Sequence, residues 1–297
     1  MAIQEPRLAG KAEVERLNAS PPDPLYVAAR RVLLDALEAS KPYRGSLILV
    51  GAQAVYLRTA QAQLSVAPFT IDGDIAIDPS SMPSSPPLEE ALSEAGFNAG
   101  TQPGSWTRLT RVEGRDITVE VDFMVPAGVA PGSGTRSVDL EGHSRRATRR
   151  VPGLEAALVD RSPVEIAAIE ATDARKFTVE AAGAAALVVA KTHKIADRGA
   201  TARGARTDVD KDAGDIYRLM QVTGVADMAA GFSKALAAEV SRHVAENSLG
   251  HLNELFGRPG LPGVEMVIRA AGVSGEASES IRATLTAYVS ALRGALS

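Results

Sequence analysis

The apolar residues of this chain change their spacing near position 180, and that change limits the fold more than any other feature. Before it they come in short runs and in strict alternation, with turn residues between; after it they recur every three or four positions. The first pattern is that of strands, the second that of amphipathic helices. The expected fold class is therefore α/β, with a strand-rich part over residues 1–180 and a helical domain over 181–297. With 45% apolar and 23% charged residues, neither part has the composition of a disordered chain.

Within the first part, residues 23–40 put Leu25, Ala28, Ala29, Val32, Leu33, Ala36 and Leu37 on one helical face, with Asp23 as N-cap and Pro24 in the first helical position. A buried strand over 47–50 turns sharply at Gly51 into a helix. Alternation returns over 72–78 and stops at Pro79. A helix is expected over 88–95, and strands beginning at Trp106 and Asp116 are joined by the turn residues Glu113, Gly114 and Arg115. The Gly- and Pro-rich stretch 127–134 reads as a mobile loop, followed by short strands near 149–151, 164–169 and 176–179. Helical spacing covers 181–198, 208–221, 226–247 and 278–295.

The longest apolar run, 181–190, is ten residues, about half of a bilayer span, so no membrane association is expected. The charged N-terminal segment lacks the hydrophobic core of a signal peptide, and the absence of cysteine excludes disulfides and thiolate metal sites; both point to the cytoplasm. A net charge of −4 gives no general attraction to nucleic acid, so any anion site must be local. The histidines, at 143, 193, 243 and 251, lack metal-ligand spacing, and no G-x-S-x-G hydrolase motif occurs.

Asp72 and Asp74 stand two apart on a strand, so both carboxylates leave one face while Ile71, Ile75 and Ile77 line the other. Asp122 lies on a second strand, two residues after Glu120. On neighbouring strands these carboxylates would converge and repel one another until a hard cation neutralised them, and Mg²⁺ favours such oxygen ligands. A strand D-x-D is usually the mark of a solvated face, and the metal reading gains weight only with the segment that precedes the pair.

Gly51 opens its helix 21 residues before Asp72. N–H groups at a helix N-terminus attract phosphate oxygens, and glycine lets the anion approach closely. Together, LVGAQAVYL, FTIDGDIAID and ITVEVDFMVP resemble, in order and spacing, the Gly-containing turn, metal-binding pair and third carboxylate of the DNA polymerase beta type nucleotidyltransferase superfamily. Farther on, Lys191, Lys194 and Arg198 share one helix face, and Asp208, Lys211, Asp212 and Asp215 line one side of the next. This pairing resembles the nucleotidyltransferase toxins of abortive-infection-type toxin-antitoxin systems, including the mycobacterial branch that modifies tRNA. The likeness spans roughly residues 45–220.

The resemblance implies a polymerase-beta-like nucleotidyltransferase core with a mixed sheet. It implies Asp72, Asp74 and Asp122 as Mg²⁺ ligands, Lys191 on the nucleotide phosphates, and Asp212 holding that lysine or the substrate; Gly51, Ala52, Gln53, Thr70, Lys194 and Arg198 would surround the nucleotide. The implied activity is transfer of nucleotides from an NTP, a pyrimidine one, to the 3′ end of tRNA, which blocks aminoacylation and translation. The implied partners are NTP, tRNA and a cognate antitoxin, which in some members phosphorylates a hydroxyl at the position of Thr70. The chain departs from the superfamily at Ala52, where Ser or Gly is usual, so Gln53 or backbone N–H groups would have to substitute. Two rival readings stand beside this one: the same chemistry on a small-molecule or protein hydroxyl, and a catalytically inactive nucleotide- or RNA-binding module. Lys194 and Arg198 also read as solvating charges, and Asp215 as an exposed partner of Arg218 or Lys211.

Two basic stretches are candidates for gripping RNA: residues 143–150 hold four arginines and no acid, and residues 191–211 hold six basic side chains against Asp197, Asp208 and Asp210. A solvated loop explains an arginine run as well. With aromatics at 4%, contacts to backbone and 2′-hydroxyls fit better than base stacking.

Overall fold

The computed structural model describes residues 22–60, 69–201 and 206–297. Helix α1 (Pro24–Ala39) starts where the Leu25 N–H donates to the Asp23 carboxylate at 2.8 Å, and it buries the face its spacing predicts. A 3₁₀ turn leads into β1 (Leu47–Val50), whose four residues are all buried because the strand lies inside the sheet. Then follow α2 (Gly51–Arg58), β2 (Asp72–Ile77), α3 (Leu88–Glu94), β3 (Asn98–Ala99), β4 (Ser105–Val112), β5 (Arg115–Pro126), β6 (Arg149–Val151), β7 (Arg161–Ala167) and β8 (Lys176–Ala182). The strands form one sheet in the order β3-β4-β5-β2-β1-β8-β7, with β6 beside the end of β5. Pairs β2–β5, β1–β8 and β5–β6 are parallel and the others antiparallel, so the sheet is mixed. Beyond β8 the described residues form α4 (Ala184–Thr201), α5 (Arg206–Val222), α6 (Val225–Ala237), α7 (Glu239–Phe256), α8 (Pro262–Ala271) and α9 (Glu276–Leu296). The protein is thus α/β with a C-terminal helical region.

Gly73 explains how the two faces of β2 are divided. A Cβ on it would lie 3.1 Å from Leu33 Cδ1 of α1 and 3.5 Å from Val121 Cγ2 of β5, so the small residue lets α1 settle close on that face. Asp72 and Asp74 consequently emerge on the opposite face, toward α4.

Four expectations need correction. The apolar run 181–190 is divided between two elements, because Asp160 intervenes. Its carboxylate accepts the Ala186 N–H at 3.0 Å and occupies the space a Gly183 side chain would need, so the helix begins there. The helix expected over 226–247 is two, broken at Ala238, whose backbone is extended; Ser241 and Arg242 take the carbonyls of Ala235 and Leu236 at 2.7 and 3.0 Å. Helix α8 was not anticipated. Finally, the loop over 127–134 is anchored rather than mobile: Arg150 donates to the carbonyls of Ala127, Ala130, Pro131 and Gly132, and Glu155 accepts the Gly128 N–H. Among the described residues, no helix is long and apolar enough to cross a membrane.

Candidate active site

Strand register brings the acidic residues together. On the parallel pair β2–β5, Asp72 is opposite Glu120 and Asp74 is opposite Asp122, so two rungs of carboxylates share one face. On the other side of β2, Val50 is opposite Asp74, which sets the start of α2 beside that carboxylate. Gly51 has φ +66°, and a Cβ on it would overlap the Asp74 carboxyl group. Glycine is required here by backbone conformation and by space alike. Gly51→Ala is accordingly expected to cost at least about 1–3 kcal/mol and to lower the melting temperature by roughly 3–10 °C; an unchanged calorimetric transition would refute this account of the turn.

The crowding has an electrostatic consequence. Burial, and then the charge of Asp72, pushes the Asp74 carboxyl above its ordinary range, while Lys194, Lys191 and Arg149 offset this only in part. Burial and Asp74 push Asp122 up to about 8, although Arg149 Nη1 donates to its Oδ1 at 3.0 Å and Nη2 donates to Oδ2. Glu120 accepts the Ser105 hydroxyl. Thr70 is fully buried; its hydroxyl donates to Asp72 and accepts from Lys211 Nζ at 3.1 Å, so it braces Asp72 rather than facing solvent.

Opposite the carboxylates stands a basic wall from α4. Lys191 is only 5% exposed, and its Nζ donates to Asp212 Oδ1 at 3.0 Å and to Asp215 Oδ2 at 2.7 Å. Burial alone would push the ammonium down; Asp215 and Asp212 outweigh it and hold the lysine above its ordinary value. Of the two roles the resemblance allows Asp212, holding the lysine is the one seen. Burial raises Asp212, but Lys191, Lys194 and Arg198 reverse this and hold it below the ordinary carboxylate range. Its Oδ2 lies 3.4 Å from Lys194 Nζ and 3.6 Å from Arg198 Nη1. The surface-pair reading of Asp215 is overturned, since the residue is buried against Lys191. Arg218 is itself buried, over the Tyr56 ring. The expectation that Gln53 replaces the missing hydroxyl also fails: its side chain is buried between Arg30 Nε, which donates to it at 2.8 Å, and the Asp72 carbonyl.

Two adjoining cavities meet at Asp74, Lys191, Lys194, Arg198 and Asp212. The larger, about 210 Å³, has Gly51 at its edge, an apolar side of Met124, Val151, Leu154 and Leu187, and Arg149 on its wall. The smaller, about 100 Å³, is polar and is bounded by Ala52, Asp72 and Lys211. Asp72 and Asp74 present carboxylate oxygens to the smaller cavity, and the cations around Asp74 offset its raised state only in part, which leaves a place for a divalent cation. Asp122 could join them only after Arg149 lets go of it.

In the arginine run at 143–150, Arg145 and Arg146 are exposed, while Arg149 and Arg150 are half-buried and brace the fold. Arg145 pairs with Asp139 at 2.9 Å, Arg146 donates to the Gly100 carbonyl at 2.8 Å, Arg149 takes Asp122 and Arg150 holds the loop. In the second basic stretch, Arg203 lies outside the described residues. Sequence reasoning missed Arg149 as a site residue, because nothing in the run distinguishes it from its neighbours. No protein-family model, curated protein or solved structure matches the chain, so its functional reading rests on the geometry of this site.

Proposed function

We propose that the protein is a Mg²⁺-dependent nucleotidyltransferase with a polymerase-beta-like core, which transfers a nucleotide from an NTP to a nucleic-acid hydroxyl, with the 3′ end of tRNA as the acceptor. The observation that carries this reading is the Asp74–Asp122 rung set directly beside the Gly51 turn and faced across a cavity by Lys194 and Arg198. The apolar side of the larger cavity suits a nucleoside, and the cationic junction suits its triphosphate. A divalent cation held by Asp72, Asp74 and Asp122 would neutralise phosphate charge and favour the ionised acceptor hydroxyl. In the transfer the acceptor hydroxyl gives up its proton to solvent and its oxygen bonds to the α-phosphorus, while the bond from that phosphorus to the α,β-bridging oxygen breaks and pyrophosphate leaves. Lys194 and Arg198 hold the departing charge, Gly51 keeps space beside Asp74, and Thr70 with Lys211 fixes the orientation of Asp72.

Incubation of the protein with total tRNA, Mg²⁺ and each labelled NTP tests the proposal. Label is expected at the tRNA 3′ end, most from a pyrimidine nucleotide, and none with Asp72→Ala. No transfer from any of the four by folded protein would overturn it. Arg149 seated on Asp122, together with Ala52, favours a second reading, binding without catalysis. That reading expects nucleotide to bind equally to wild type and Asp72→Ala while neither transfers label.

A further inference from the structure

We propose that Arg149 is a built-in counterion for Asp122, exchanged for a divalent cation when an anionic ligand draws the guanidinium away. The inference rests on the nucleotidyltransferase reading and adds to it a coupling between nucleotide and cation. Both Asp122 oxygens are engaged by Arg149, so the guanidinium and a metal ion compete for the same carboxylate. With Arg149 gone, the Asp74 and Asp122 carboxyl groups stand opposite each other on the β2–β5 rung with no guanidinium on Asp122, a site that another cation can fill.

Arg149 is also placed to leave. Apart from Asp122, the hydrogen bonding of its side chain among the described residues reaches only the Met124 sulfur at 3.6 Å, whereas neighbouring Arg150 is fastened to four carbonyls. It lines the larger cavity together with Lys194 and Arg198, so a polyphosphate drawn to that wall offers it a second anion. Competition of this form is reciprocal: whatever removes Arg149 from Asp122 favours the metal, and whatever neutralises Asp122 releases Arg149 for the phosphates.

Two binding measurements on the full chain test this without turnover. Mn²⁺ binding in the absence of nucleotide is followed by the loss of the free-ion electron paramagnetic resonance signal. Binding of a fluorescently labelled α,β-methylene nucleoside triphosphate is followed by anisotropy in EDTA. Arg149→Gln is expected to bind Mn²⁺ about 5- to 50-fold more tightly than wild type and the metal-free nucleotide more weakly by a similar factor. Asp122→Asn is expected to bind the metal-free nucleotide more tightly, because it releases Arg149. Arg149→Lys, which keeps the charge but loses the two-pronged grip, should fall between wild type and Arg149→Gln in Mn²⁺ affinity and serves if the Gln variant does not fold. If wild type binds Mn²⁺ in an Asp72-dependent manner and also binds nucleotide, yet the Arg149 variants leave both constants unchanged, the counterion role is overturned and the nucleotidyltransferase reading stands. If wild type binds neither probe, both fall.

Discussion

Asp74→Asn is expected to lower the rate of the proposed nucleotidyl transfer by about 10³-fold or more and at the same time to raise the melting temperature. The two effects have one cause. The site concentrates buried carboxylate charge on two adjacent strands, and burial together with Asp72 already pushes Asp74 above its ordinary range. An ionised Asp74 is therefore a liability to the folded chain at neutral pH. The isosteric amide removes the repulsion with Asp72 and Asp122, and the melting temperature rises by about 2–4 °C for each kcal/mol relieved. The same amide cannot supply the negative oxygen that a divalent cation needs. Steady-state label transfer and differential scanning calorimetry on one preparation check the pair of effects. A variant that loses both activity and stability would show that Asp74 is a structural residue.

The pH dependence follows with the same sign. In the unfolded chain Asp74 and Asp122 ionise near their ordinary value of about 4; in the folded chain both are raised, Asp122 to about 8. The fold thus retains protons that the unfolded chain has lost, and the contribution of these groups to stability decreases as pH rises through that interval and is level above it. Asp212 is shifted the opposite way, so its contribution disappears only as the pH falls below the ordinary carboxylate value. Without divalent ions, the protein should melt higher at about pH 6 than at about pH 8, and the difference should shrink in Asp74→Asn.

Much of this site could be read from spacing because strand register is simple. Asp72 and Asp74 share a face by the two-residue period, and the turn at Gly51 follows from an apolar strand running into a helical pattern. What could not be read was decided by residues distant in the chain. The partner of Asp122 is Arg149, on a three-residue strand whose place beside β5 no local periodicity specifies. The start of α4 depends on Asp160, and the fate of Gln53 depends on Arg30, 23 residues earlier. Asp215, which in the fold meets Lys191, reads in sequence as a surface charge because helical spacing shows which residues share a side and not what covers them. Here the side they share is closed by the packing of α4 against α5, and only Lys194, at 47% side-chain exposure, keeps the solvated head expected of a lysine.

That closure gives the second large effect. Lys191→Met is expected to cost about 3–5 kcal/mol, because it leaves Asp212 and Asp215 buried side by side without the ammonium that both accept from. The melting temperature should fall by roughly 6–20 °C, and activity should fall with it. Loss of activity alone would therefore be no evidence that Lys191 touches phosphate. Lys194→Ala is the contrasting variant: its half-exposed ammonium makes an ion pair with Asp212, worth at most about 1 kcal/mol, so its stability loss should be small beside that of Lys191→Met, while the KM for nucleotide in the proposed transfer should rise because an exposed cation on the cavity wall is gone. Combining Lys191→Met with Asp212→Asn and Asp215→Asn removes the buried charges together and should restore most of the melting temperature, since replacing a whole buried ionic group costs far less than orphaning part of it. If Lys191→Met instead melts like wild type and loses only nucleotide affinity, the lysine is a ligand-binding group, and its two aspartates do no more than orient it.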